Sequence, residues 1–212
     1  MAAAAARPTI ASILSSLPAY THKTYTLPIT ANKGKPGHYL EELLGIPRSS
    51  ACLDCVDGEL KVFPLKHTAS GAITPKETVA VTMCQPAALL VTAWRDSNVF
   101  KKLQNTVFIP YMRDGDEIEY YEPIHFCATS SLMAELEADY NEIQKQAAAG
   151  VMTGSIGKYL QTRTKGAGHG STSRAFYLRQ CFLTRIMEMQ AAKNKRLQQL
   201  LKEMSESEDE EM

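Results

Sequence analysis

The sequence lacks any apolar run near the roughly 20 residues that a bilayer-spanning helix needs, which excludes a helical membrane span and leaves a soluble, intracellular chain, in cytoplasm or nucleus, as the expectation. It has no even set of cysteines: the count is five, and with no convincing secretory signal this argues for reduced thiols rather than a disulfide framework. Cys52 and Cys55 form a lone CxxC, but no second ligand pair stands at zinc-site spacing, so small core residues at the start of a strand are the better reading. There is no internal repeat. No acidic residue precedes Glu41, a bias shared with organelle transit peptides. Leu and Ile nevertheless recur at three- and four-residue spacing over 9–17, and an ordinary first helix is expected there.

What is present is a balance of charge that hides a segregation. Lys+Arg and Asp+Glu are both 23, yet the last ten residues, "EMSESEDEEM", hold six of the acids. Between Lys158 and Lys202 ten Lys or Arg face only Glu188. Such a segment suits a phosphate-rich partner, or is simply a basic solvated helix. The 212 residues, 44% of them hydrophobic, suffice for one domain with its own core. That domain is expected over 1–203, with a disordered acidic tail over 204–212.

Periodicity supplies the elements. Strand patterns lie at "ELKVFPL", "TVAVTMC" and "NTVFIPYM", and "EIEYYEPIHFCA" adds another, interrupted at Pro123. Helices are predicted over "HYLEELLG", closed by Gly45, over "SNVFKKLQ", over 130–150 with Ser130 or Ser131 as cap and Gly150 as stop, and over 180–203. Interleaved helices and strands predict an α/β fold with a mixed sheet covered by helices.

The stretch "LDCVDGELKVFP" crowds charge against a strand. Alternation places Glu59 and Lys61 on one face and Leu60 on the other. A turn at "VDG" would bring Asp54 to the same surface. Carboxylates held close repel unless a cation lies between them, and hard oxygen donors with room for water and phosphate suit Mg²⁺. A cation there would promote in-line attack on a phosphodiester. E-x-K triplets are also common on solvated hairpin edges, so the triplet alone decides little.

Four ordered segments carry more. "KGKPGHYLEELLG", "GELKVFPL" followed by "TPKETVAV", "FKKLQNTVFIPY", and "GKYLQTRTKGAG" with "SRAFYLRQCFLTRIM" together resemble the MutH mismatch-repair endonucleases and the related type II restriction enzymes that cut at GATC. The resemblance implies a restriction-endonuclease-like fold of the PD-(D/E)xK type, Mg²⁺ as cofactor and double-stranded DNA as partner. It carries the family's helix acid to Glu41, its E-L-K to Glu59, Leu60 and Lys61, and its further lysine to Lys102. The metal aspartate falls on Asp54 if the loop is two residues shorter than usual, with Asp57 as the fallback, so Asp54, Glu59 and Leu60 form the implied metal set. Arg163, Lys165 and Gly166 match the part of the family that enters the major groove, where arginine can read guanine. Tyr177 matches a tyrosine that senses the adenine N6 position, although "FYL" is also an apolar strand run. Lys158, Arg174 and Arg179 are expected to hold phosphates. No histidine is assigned a role.

The expected function is a Mg²⁺-dependent, sequence-specific duplex DNA endonuclease of the type II restriction kind, cutting at GATC. A strand-specific mismatch-repair nickase and a non-catalytic DNA-binding relative are the alternatives. One motif set per chain means one active site, so cutting both strands calls for a homodimer on DNA or two visits.

Overall fold

The computed structural model describes residues 6–30, 32–165 and 173–210, with the side chains of 201 and 203–210 left aside. In chain order the elements are α1 (Ile10–Ser16), β1 (Thr24–Thr26), α2 (Lys35–Leu43), β2 (Glu59–His67), β3 (Ile73–Pro75), β4 (Val79–Cys84), α3 (Pro86–Val91), α4 (Asn98–Leu103), β5 (Asn105–Asp114), β6 (Glu117–Tyr120), β7 (Ile124–Cys127), α5 (Leu132–Ala148), β8 (Leu160–Thr164), β9 (Arg174–Leu178) and α6 (Gln180–Glu210). The expected α/β class, a mixed central sheet flanked by helices, is what the chain forms.

The larger sheet has the order β1-β6-β5-β2-β3, with β7 also paired to β5. Its centre is the parallel pair β2 and β5, in register from Glu59 opposite Thr106 to Pro64 opposite Tyr111. A parallel pair cannot close with a hairpin, and the crossover here carries β3, β4, α3 and α4. Pro123 splits the predicted strand over 117–128 into two. β6 then pairs with Tyr111–Asp114 and β7 with Asn105–Phe108, so both halves lie along β5.

Each face of that centre is buried. Leu60, Val107 and Ile109 join a cluster with Ile10, Ile13, Leu17 and Leu40 from α1 and α2. Phe63, Leu65 and Phe108 point into a larger cluster with Leu103, Leu136, Tyr140, Phe182 and Leu183, which α4, α5 and α6 supply. A second, antiparallel sheet of order β4-β9-β8 packs Val79, Val81, Phe176 and Leu178 into this larger core. The glycine stops behave as expected: Gly45 (φ 67) and Gly150 (φ 78) follow α2 and α5 in the left-handed conformation. The cap of α5 comes from Ser130, whose Oγ accepts from the Leu132 N–H at 3.3 Å, while Ser131 makes no side-chain cap bond.

Two expectations are corrected. The helix expected over 180–203 runs on to Glu210 in α6, through residues such as Glu and Met that favour helix. Cys55 is a buried core residue as expected, its thiol pushed up to about 12 by burial and the neighbouring Asp54. Cys52 is exposed.

Candidate active site

β2 begins with Glu59, and its first residues face two different environments. Leu60 enters the core beneath α1 and α2, while Glu59 and Lys61 point together to the other face. Glu59 is only 1% exposed, and an ionised carboxylate so deep needs partners. It has three. Its Oε1 accepts from Lys61 Nζ and from Lys102 Nζ, each at 2.5 Å, and its Oε2 accepts from the Asp54 N–H at 3.2 Å. Asp54 is fixed in return, its Oδ2 accepting from the Leu60 N–H at 3.1 Å. Lys61 Nζ lies 3.9 Å from the same oxygen, so its ammonium occupies the space between the two carboxylates.

Lys102 arrives from α4. Val99, Phe100 and Leu103 bury that helix and Ser97 caps it, its Oγ accepting from the Phe100 N–H at 3.1 Å. Adjacent positions on a helix point in different directions. Lys102 therefore meets Glu59 while Lys101 is exposed.

The loop before β2 holds the two candidate aspartates differently. Asp57 Oδ1 accepts from the Ile10 N–H at 2.8 Å and so tethers the start of α1. Asp54 is the one inside the cluster. Gly58 permits a close approach: a Cβ there would lie 2.3 Å from the Asn105 carbonyl oxygen and 2.5 Å from Ile10 Cγ1.

Glu41 reaches the cluster from α2. Burial pushes its carboxyl above the usual range, with Asp54 adding to the shift while His38 and Lys61 oppose it. His38, one helical turn earlier, lines the same cleft. Its i, i+3 spacing from Glu41 was the available signal for it.

Glu41 and Lys61 open into a cleft of about 680 Å³ whose other wall is the second sheet. Arg163 and Thr164 from β8, Lys165, Tyr177 from β9, and Thr78 before β4 line that wall. Tyr177 takes the cleft side of β9 while its neighbours Phe176 and Leu178 are buried, which resolves the ambiguity of the "FYL" run. Arg163 is exposed, donates to Thr78 Oγ1 at 3.4 Å and sits 5.9 Å from the Tyr177 ring centroid. Gly166 lies outside the described residues.

The three expected phosphate holders are not brought to this cleft. Lys158 pairs with Glu135 and covers the Tyr159 ring. Arg179 donates to the carbonyls of Gly154, Ile156 and Gly157 and so braces the loop before β8. Arg174 turns toward Thr162, with its Nε buried and unpartnered. All three lie in a basic segment, but composition carries no information about direction.

Among the described residues no three acids, histidines or cysteines converge tightly enough to form a complete metal cage. Asp54 and Glu59 form a two-carboxylate donor set, and Mg²⁺ is commonly bound by one or two carboxylates plus water and substrate phosphate. Lys61, standing between them, shows that the space favours positive charge. The Leu60 side chain is buried, so only its main-chain carbonyl could take part. The residues fit a divalent ion.

The mixed sheet centred on the parallel β2–β5 pair and flanked by helices is consistent with a restriction-endonuclease-like α/β fold. Residues 48–143, a little under half of the chain, match the family model described as DNA mismatch repair enzyme MutH, a match that supports a MutH-like nuclease family. That family is one of DNA endonucleases and implies DNA as substrate. No curated protein matches the chain significantly. The matched span contains Asp54, Glu59, Lys61 and Lys102, whereas Glu41, Arg163, Lys165 and Tyr177 lie outside it. No described helix is long and apolar enough to cross a membrane.

Proposed function

We propose that this chain is a Mg²⁺-dependent, sequence-specific endonuclease of duplex DNA that cuts at GATC. The observation that carries the reading is the shared cleft: the carboxylate–lysine cluster opens through Glu41 and Lys61 into the same groove that presents Arg163, Lys165 and Tyr177. A scissile phosphate at one wall leaves base edges within reach of the other.

Asp54 and Glu59, with the Leu60 carbonyl, would hold the cation. When bound it neutralises charge on the phosphate and acidifies a water. Lys61 leaves its position between the two carboxylates and turns its ammonium to a non-bridging phosphate oxygen or to the attacking water. Lys102 holds Glu59 in place by donating to its Oε1 at 2.5 Å. Glu41, with its raised affinity for a proton, is placed to exchange one with water at the cleft edge. Arg163 offers a bidentate donor to guanine and Tyr177 packs against the neighbouring base. A non-catalytic DNA-binding role explains the site poorly, because carboxylates facing phosphate weaken simple binding.

The match to a mismatch-repair enzyme favours a second reading, a strand-specific nickase with the same site. Supercoiled plasmid incubated with Mg²⁺, with and without adenine methylation, separates the readings. Early linear product with ends at GATC supports the restriction type, and nicked circles that persist at high enzyme support the nickase. Tight binding with no cleavage under any of these conditions would overturn both.

A further inference from the structure

Glu77 is an acid in a groove that the proposed function fills with a polyanion. It stands just before β4 and lines the cleft beside Thr78, on the wall that also carries Arg163 and Tyr177. Among the described residues its one ion pair is with Lys33 Nζ at 3.7 Å, and the Lys33 side chain is 86% exposed. A pair so open to water holds weakly. Nor is the carboxylate turned away from the groove: burial first and the charge of Glu77 second push the Tyr111 hydroxyl, which lines the same cleft, up to about 12.

A carboxylate facing phosphate weakens binding, so an acid placed here needs a compensating contact. An ionised carboxylate only accepts hydrogen bonds. In the major groove the donors are the adenine N6 and cytosine N4 amino groups. Adenine is read in two bonds by a group that both donates and accepts, which a carboxylate cannot do, whereas cytosine N4 asks for an acceptor alone. Its partner guanine presents two acceptors, O6 and N7, and that O6 lies about 2.9 Å from the N4 because the two are hydrogen-bonded in the pair. Reading both members of a G·C pair therefore takes a cation and an anion side by side. The cleft holds such a couple: Arg163 donates to Thr78 Oγ1 at 3.4 Å, and Glu77 adjoins Thr78 in the chain.

We propose that Glu77 is a specificity-determining residue, accepting from the N4 amino group of the cytosine whose partner guanine Arg163 reads. Lys33 holds the carboxylate in the free protein and releases it when DNA enters. This role rests on the nuclease reading and adds to it the second half of one base pair's recognition.

The test is cleavage of GATC duplexes with Mg²⁺, the ordinary site beside one whose cytosines are replaced by 2-pyrimidinone nucleosides, which lack the 4-amino group. It is run as kcat/KM on the wild type, Glu77→Ala and Lys33→Ala. The wild type should lose about tenfold on the altered site. Glu77→Ala should cut the two sites within about twofold of each other, because a contact already removed from the protein cannot be lost again from the DNA. Lys33→Ala should keep the wild-type discrimination. Glu77 is exposed, so its replacement leaves the core untouched. Equal discrimination by the wild type and Glu77→Ala overturns the proposal and leaves the nuclease reading standing. Loss of discrimination in Lys33→Ala overturns it too, making Glu77 an ion-pair partner only. A wild type that cleaves no GATC duplex removes the nuclease reading and this role with it.

Discussion

The two walls of the cleft are built on opposite principles. On the wall formed by β2 and α4, charged groups are withdrawn from water and bonded to one another: Glu59 is 1% exposed and receives both lysines at 2.5 Å. On the wall formed by β8 and β9, Arg163 is exposed and its side chain has one long contact, 3.4 Å to Thr78. Groups that act on a reacting phosphate gain from being fixed before it arrives, because no reorganisation is then needed as charge develops. Groups that read bases must exchange protein and water contacts for DNA contacts, so strong internal partners would oppose them. The same cation type is therefore held tightly on one side and loosely on the other.

Breaking the fixed wall gives the largest effect. Glu59→Ala or Lys61→Ala should lower cleavage by at least about a hundredfold, while affinity for duplex DNA stays comparable or, for the glutamate, improves. Single-turnover cleavage beside a binding titration measures both. Normal turnover in either variant would remove the proposed centre.

The support beneath that wall can be attacked without touching a charge. A Cβ at Gly58 would meet the Asn105 carbonyl oxygen at 2.3 Å, a backbone atom that cannot swing aside. Gly58→Ala should destabilise the fold by about 1–3 kcal/mol and lower turnover by shifting Glu59 in the next position. Denaturant unfolding reads the first and cleavage the second. Wild-type stability in this variant would show that the loop before β2 relaxes freely.

The loose wall predicts a smaller and different change. Arg163→Ala should cost roughly 1–3 kcal/mol in discrimination between the preferred site and a changed one, with cleavage chemistry retained. Ends sequenced from a mixed plasmid library report it. Unchanged selectivity would place recognition elsewhere.

The contrast between the walls also explains what the sequence revealed. β2, β5, α4 and α5 carry long apolar periods, and the E-L-K triplet places two candidate site side chains on one face by alternation alone. β1 and β3 are three residues each and exist only because β6 and β2 pair with them. β8, mostly polar over Gln161–Thr164, is a strand because β9 lies beside it. The choice of Asp54 over Asp57 depended on a tether to α1 that is 47 residues distant in sequence. Lys158 and Arg179 show the same limit from the other side: their charge was legible, but the local acceptors that claim them were not.

The smallest predicted effect concerns Glu41, which stands where the walls meet. Burial and the charge of Asp54 raise its carboxyl above the ordinary 4.5, so the folded chain binds that proton more tightly than the unfolded one. Below 4.5 both states are protonated and Glu41 contributes no pH dependence. As pH rises above 4.5, ionisation is more unfavourable in the fold than in the open chain, and stability falls until the raised value is passed. Glu41→Gln removes this loss. In metal-free buffer the variant should match the wild type in acid and become the more stable of the two by neutral pH, with the difference opening above 4.5. Cleavage should fall in the same variant, so stability and activity move in opposite directions, as expected of a carboxylate held in place for function rather than for folding. A glutamine variant less stable at neutral pH, or a difference independent of pH, would mean that Glu41 is a structural group and that the cleft edge has no proton-exchanging acid.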